Sequence, residues 1–415
     1  MRTTRSRLFT LSLSLTLSIS YLPWSGLHAS PWDPAAADYA GHKGKTIYVS
    51  KKGDNSDGSS WQRAFHSIQA ALLALPDNQG GHQIIIRPDT YVEANVYSIH
   101  KGAAGAYNLF RGDFDGKLGS GATGWVVLDC GAPGVAVRTD PSKPYGFYKI
   151  VSSDQPESGY KSIDWWANFA GPPGTYSWLN FDRWIFRHIY ATGGDGAFGL
   201  YSMVKDDERK AGTLVVEDCV GIGRFCGALM TPGVGRKDEP YIFRRSYFLN
   251  LDWCGDAGGV YVRAHHTSMP DYPDVIFDDC TIVGPDNALQ VGYPGFDLYT
   301  RVKFKNCRLI TLNFSQTTGL PGSGIICCDM DGKYLHVDFE DCTLMGYKLF
   351  GKSYFQCNKA QGSGTTDPSF SIKGKARVYV HYDQPVPKGF ERLGLWPVEV
   401  VNRLAPPSPG CVEHR

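Results

Sequence analysis

The chain reads as an all-β protein, a right-handed parallel β-helix opened by a short N-terminal capping helix, and three observations predict this. A six-residue phrase with alternating apolar and polar positions returns along the middle of the chain: WIFRHI at 184–189, LVVEDC at 214–219, YIFRRS at 241–246, VIFDDC at 275–280, VKFKNC at 302–307 and VDFEDC at 337–342. A weaker run of small and apolar residues follows each copy: GAFGLY at 196–201, FCGALM at 225–230, GGVYV at 258–262, NALQV at 287–291, SGIIC at 323–327 and KLF at 348–350. The 415 residues include 48 Gly, suited to many tight turns, and very little helical patterning.

The period of two marks each phrase as a strand with one buried face. A unit of roughly 30 residues is too short to close its own core, so successive units stack as coils about 4.8 Å apart. No LxxLxL run or WD dipeptide repeats, which sets aside leucine-rich and propeller architectures. The pattern predicts two strands per coil joined by loops of variable length.

Four phrases end in Cys219, Cys280, Cys307 and Cys342. Stacked coils turn these into an inward row of small apolar thiols. Cys219 and Cys280 are two coils apart, about 9.6 Å, beyond disulfide reach, whereas Cys280 with Cys307 and Cys307 with Cys342 are near enough. No CxxC pair occurs, and the adjacent Cys327 and Cys328 point to opposite faces of a strand, so no cysteine metal site is expected.

At the N-terminus Arg2, Arg5 and Arg7 precede an apolar run at 8–19, with Leu27, His28 and Ala29 offering a cleavage site. About 12 apolar residues make a secretory signal peptide rather than the ~20 of a membrane span. The expectation is a signal peptide over 1–29, one β-helix domain over 30–405, a Pro-rich tail over 406–415, and a secreted product with no membrane span. Lys plus Arg number 42 against 41 Asp plus Glu, so bulk charge does not favour nucleic acid.

Residues 45–96 read KTIYVSKKGDNSDGSSWQRAFHSIQAALLALPDNQGGHQIIIRPDTYVEANV. The stretch predicts a strand at 46–50, a turn cluster at 53–60, an amphipathic helix at 65–75 stopped by Pro76, and a strand at 84–87. Ile68, Ala71, Leu72 and Leu75 then cover the open end of the solenoid. A plug at the far end is expected from strands at 376–382 and 398–401. Between 101 and 179 the repeat is hard to follow. Strands are expected at 125–130 and 147–151, with an aromatic insertion carrying Tyr160, Trp165, Trp166, Phe169, Tyr176 and Trp178. Trp165 and Trp166 are candidates for stacking on sugar rings, and a hydrophobic clasp onto the solenoid is the other reading.

The opening segment resembles the N-terminal cap of the pectate-lyase-like superfamily of extracellular β-helix proteins. The resemblance rests on Tyr48, Val49, Ser50, Gly53, Asp54, Asp57, Gly58, Ser59, Trp61, Ala64, Phe65, Ile68, Gln69, Ala70, Ala71, Leu72, Pro88, Thr90, Tyr91 and Glu93, with Asp89 where a glycine is usual. It implies the β-helix fold, an extracellular place and a polysaccharide substrate or ligand. It leaves the chemistry open, because the cap is shared by lyases, hydrolases, epimerases and proteins without catalysis. The NTD, DD, GHG and RIK series of polygalacturonases and the RxPxxR of the main pectate lyases are absent.

Candidate chemistry gathers on the loops. Aligning the second runs puts Asp195, Arg224, Asp256, Asp286, Gly322 and Lys348 in one row. If Val260 is matched to Leu289, Ala257 replaces Asp256, a slip of one residue that turns the side chain to the other face. The densest stretch, 250–274, carries Asp252, Asp256, Arg263, His265, His266 and Asp271. An Arg or His base beside acids suits β-elimination from a uronate, and paired carboxyl groups such as Asp256 and Asp286 suit glycoside hydrolysis. Asp195, Arg224, Trp165 and Trp166 are the candidate sugar contacts. Turn-forming aspartates and surface histidines need no function, and a non-catalytic carbohydrate-binding solenoid is the alternative. Calcium among the loop acids stays open, although no DxDxDG loop is present.

Overall fold

In the computed structural model of the chain, ten short strands stack parallel and in register as one sheet. These rungs are, in order, Thr46–Val49, Gln83–Ile86, Asn108–Gly112, Trp184–Arg187, Leu214–Glu217, Tyr241–Arg244, Val275–Asp278, Thr300–Lys305, Leu335–Glu340 and Ser369–Lys373. The six repeated phrases are rungs four to nine. The structure describes residues 43–131, 135–136, 147–148, 168–169, 181–200, 212–230, 235–250, 258–262, 266–284, 287–291, 298–311, 324–328, 331–345, 349–352, 368–374 and 377–379. Contacts divide the chain into units 1–33 and 34–415, and all described residues belong to the second.

The alternation in each phrase sorts its side chains as expected. Phe186, Val216, Phe243, Phe277, Phe304 and Phe339 form one inward row, all buried. The phenyl rings of Phe243, Phe277, Phe304 and Phe339 stack with centroids 5.0, 5.0 and 5.9 Å apart, near the rung spacing. The thiols line up beside them. Cys219, Cys280 and Cys307 each donate to the carbonyl of the Phe one rung back, at 3.6, 3.4 and 3.4 Å. The row is Cys219, Ser246, Cys280, Cys307, Cys342, and Ser246 explains the missing thiol by accepting from the Cys219 amide at 3.1 Å. These cysteines are buried and free.

The corner that follows each of rungs four to nine is a single residue. His188, Asp218, Arg245, Asp279, Asn306 and Asp341 have φ of 58, 50, 46, 54, 52 and 52°. One left-handed residue turns the chain sharply without breaking the ladder, since the Asp218, Arg245, Asp279 and Asn306 amides still donate to carbonyls of the next rung.

After the corner comes a second sheet of 13 strands. It contains the long strands Ile189–Leu200 and Val220–Met230, after which each coil contributes two short strands instead. These pairs are Tyr247–Asn250 with Gly258–Val262, Thr281–Gly284 with Asn287–Val291, Arg308–Thr311 with Ile326–Cys328, and Thr343–Met345 with Phe350–Lys352. The coil therefore has three strand segments, not the expected two. The sequence hides the middle one because a one-residue corner leaves no cluster of turn residues to mark it.

The cap is narrower than predicted. Helix α1 is Ile68–Leu73, with Ser67 as its N-cap, while Phe65 makes a parallel bridge with Val49 and so belongs to the sheet side. Glu93 holds the helix start, accepting from the Ile68 and Gln69 amides at 2.8 and 2.9 Å, which gives the PDTYVE glutamate a structural reason. Ile68, Ala71 and Leu72 are fully buried.

Of 147–151 the described residues, Phe147–Tyr148, form a strand paired antiparallel with Val135–Ala136, apart from both large sheets. Of the expected plug segment 376–382, the described Arg377–Tyr379 pairs parallel with Thr343–Met345 as one more step of the stack. The segment 398–401 lies outside the described residues.

Candidate functional site

The outer face of the first sheet carries a row of charges set by the register. Cα partners run Arg187, Glu217, Arg244, Asp278, Lys305, Glu340, Lys373, so the sign alternates at every step. Opposite charges facing each other across parallel strands stabilise the pairing. Glu217 is the most enclosed member, with no exposed surface. Its carboxylate meets Arg187, Arg244 at 2.7 Å and Arg245 at 3.1 Å. Arg245, on the corner, also grips Asp218 in two hydrogen bonds of 2.7 and 2.8 Å, and those bonds raise its pKa.

Beside this row, a shallow cleft of about 430 Å³ is lined by Arg244, Arg245, Asp278, Asp279 and Asn306. It holds arginines from one coil against carboxylates from the next. Farther along the same face, Arg301 and Asp338 pair at 2.6 Å, His336 and Ser371 also reach Asp338, and Lys303 meets Glu340 at 2.7 Å. Burial alone raises the Asp338 pKa, but Arg301 and Ser371 outweigh it and hold the group at about 2. The face is thus an open polar ribbon running along the stack.

Of the residues expected to act, His266 is placed in full. Its Nε2 lies 2.6 Å from Asp274 Oδ1, and its ring stands edge-on to Tyr272. Asp274 also accepts from the Gly235 amide and the Thr300 hydroxyl, so it orients the imidazole and fastens the loop before rung seven. Asp195 and Arg224 lie on Ile189–Leu200 and Val220–Met230. Gly194 pairs with Gly223 and Gly196 with Cys226, so Arg224 and Phe225 together oppose Asp195 through a bulge, and the expected level row is broken there.

Asp256, Arg263, His265, Asp286, Trp165 and Trp166 lie outside the described residues. Val260 is opposite Leu289, the register in which Ala257 rather than Asp256 takes the row position. The strand Gly258–Val262 separates the segment carrying Asp256 from the one carrying Arg263 and His265. Of the aromatic insertion, Phe169 is described and is core: it stacks on Phe198 at 5.5 Å and packs against Phe186 at 4.8 Å. Asn168 beside it donates to the Leu128 and Thr192 carbonyls, so at this point the clasp reading holds. The charged loop at 236–239 is likewise anchored, through Arg236 to Asp182 at 2.8 Å and Glu239 to Arg183 at 2.8 Å.

Sequence reasoning missed the charge row and the corner. Its signal was present in the fourth and fifth positions of the repeated phrase, where charge alternates and Asp or Asn recurs. Among the described residues no group of three or more His, Cys, Asp or Glu is arranged to hold a metal, and no helix is long and apolar enough to cross a membrane.

No family model matches the chain, and no curated protein matches it. Solved structures that are similar include pectate lyase Pel9A, at 15% identity over 83% of this chain and 79% of that one, with a TM-score of 0.46. A pectin methylesterase from Aspergillus niger is 13% identical over 88% and 98%, with a TM-score of 0.38. YbhC of Escherichia coli is 13% identical over 84% and 88%, with a TM-score of 0.41. The parallel ladders described above establish the architecture independently.

Proposed function

We propose that the chain is a secreted protein that acts on a linear polysaccharide, cleaving it by β-elimination or by glycoside hydrolysis. The observation that carries this reading is the ribbon itself. Charged and hydrogen-bonding groups repeat once per rung along an open face, with the cleft at Arg244, Arg245, Asp278 and Asp279 beside it. A repeating, shallow, polar face suits an extended polymer better than a compact ligand, which calls for an enclosed apolar cavity.

In this reading Asp256, Arg263, His265, His266 and Asp286 are the chemical groups. Arg263 or His265 takes the proton in an elimination, and Asp256 and Asp286 supply the two carboxyl groups of a hydrolysis. His266 enters as an imidazole oriented by Asp274. Asp195, Arg224, Trp165 and Trp166 contact the sugars. The alternative is a non-catalytic carbohydrate-binding solenoid, which the same ribbon supports.

The test is a screen of the purified chain against acidic and neutral polysaccharides, reading unsaturated uronate ends and reducing ends separately. Unsaturated ends mean elimination, and reducing ends alone mean hydrolysis. Asp256→Asn and Arg263→Ala should each lower kcat by about 100-fold or more if they serve as acid or base. Binding without cleavage leaves the non-catalytic alternative, and neither binding nor cleavage removes the reading.

A further inference from the structure

The charge row breaks its alternation at one end. Arg111 in rung three is the Cα partner of Arg187, and like charges directly opposed on a sheet repel. Among the described residues, the neighbouring acids are committed elsewhere. Asp113 accepts from the Leu118 and Ser120 amides, each at 2.9 Å. Asp115 pairs with Lys117 at 2.8 Å, Asp218 is held by Arg245, and Glu217 is held by Arg187, Arg244 and Arg245. The Arg111 Nε is buried with no hydrogen-bond partner. Burial, and then Arg187, lower the Arg111 pKa.

Two more buried polar atoms nearby have no protein partner, Nδ1 of His188 and Nε1 of Trp125. The Phe114 ring packs against both side chains, with centroids 5.2 Å from His188 and 5.1 Å from Trp125. Burial, with help from Arg111 and Arg187, lowers the His188 pKa to about 4, so the ring is neutral near pH 7. Folded proteins rarely leave buried donors unpaired, and where they do a ligand or water takes them.

We propose that Arg111, together with Trp125 and His188, which both pack against Phe114, forms a seat for one oxyanion, a carboxylate or a sulfate ester carried on a sugar. The anion supplies the negative charge that Arg111 faces in no opposing rung, and the Arg111 guanidinium and the indole N–H donate to it. The sugar part of the proposal rests on the polysaccharide reading above; the oxyanion part does not.

Calorimetry of the full chain tests this with three probes: trigalacturonate, its methyl ester, and a neutral trisaccharide bearing one sulfate ester. The expected result is binding of at least one anionic probe, weakened by added salt, and none of the methyl ester. Arg111→Gln should weaken it by about tenfold or more, and Trp125→Phe, which removes only the N–H, by several-fold. Lys237→Gln, at the distant Asp271 pair, should leave it unchanged. Arg111→Gln should also melt no lower than the parent, since it relieves a repulsion; a purely structural Arg111 would lower the melting point. Which anionic probe binds decides between uronate and sulfated sugar. Failure of both, or equal binding by Arg111→Gln, overturns the seat and leaves its donors to water. The polysaccharide reading fails separately, through loss of polymer binding and cleavage.

Discussion

Asp279 turns the chain at φ 54° with its side chain exposed to solvent, so replacing it changes backbone preference and little else. A β-branched residue in the left-handed region meets its own carbonyl, whereas Asn and Gly tolerate it. Asp279→Val should therefore lower stability by about 1–2 kcal/mol, while Asp279→Asn stays near the parent. Urea midpoints with an unchanged slope are the measurement. An equal midpoint for the valine variant would mean that the corner relaxes. The same corner shows what was legible at this scale. Asp218, Asp279, Asn306 and Asp341 occupy the fifth position of their phrases, a residue choice that favours left-handed turns. Arg245 and His188 occupy it too and conceal the pattern, because their ion pairs and packing, rather than local preference, hold them there.

At the level of the rung, the inward alternation is legible in the sequence, and the stacked Phe and Cys rows bear it out. The middle strand was not readable. Only Asp279 and Cys280 lie between Asp278 and Thr281–Gly284, so no run of turn residues in the sequence marks where the backbone turns from one face to the next. The thiol row has a chemical consequence. Burial raises the pKa of Cys219 and Cys307 and pushes Cys342 up to about 11, and the thiolate is the reactive form. In the native chain at pH 8, iodoacetamide should leave Cys219, Cys280, Cys307 and Cys342 unmodified. In denaturant without reductant, all four should label, as read by peptide mapping. Protection that persists in denaturant would mean that neighbouring rungs are joined by disulfides, contrary to the free thiols of the structure.

For the whole stack, each rung gains its burial from the rungs on either side, so stability is a nearest-neighbour property and need not be uniform along the axis. The N-terminal end is closed by α1 over rungs one and two, where Ile47, Val49, Ile84 and Ile86 have no exposed surface. Rung ten differs. Phe370 and Ile372 continue the inward rows of Val337 and Phe339, yet they are 46% and 45% exposed. Half-covered inward side chains contribute correspondingly less apolar burial, and the local cost of opening that strand falls with it. Native-state hydrogen exchange should therefore show a gradient: slow amides in Val275–Asp278 and Thr300–Lys305, faster ones in Ser369–Lys373. Placing Asp at Phe370 should cost much less than placing it at Phe304, because only the second position is sealed from water on all sides. Uniform protection from rung seven to rung ten would show that the last strand is covered as fully as the interior, and the nearest-neighbour account of this stack would then be wrong at its end.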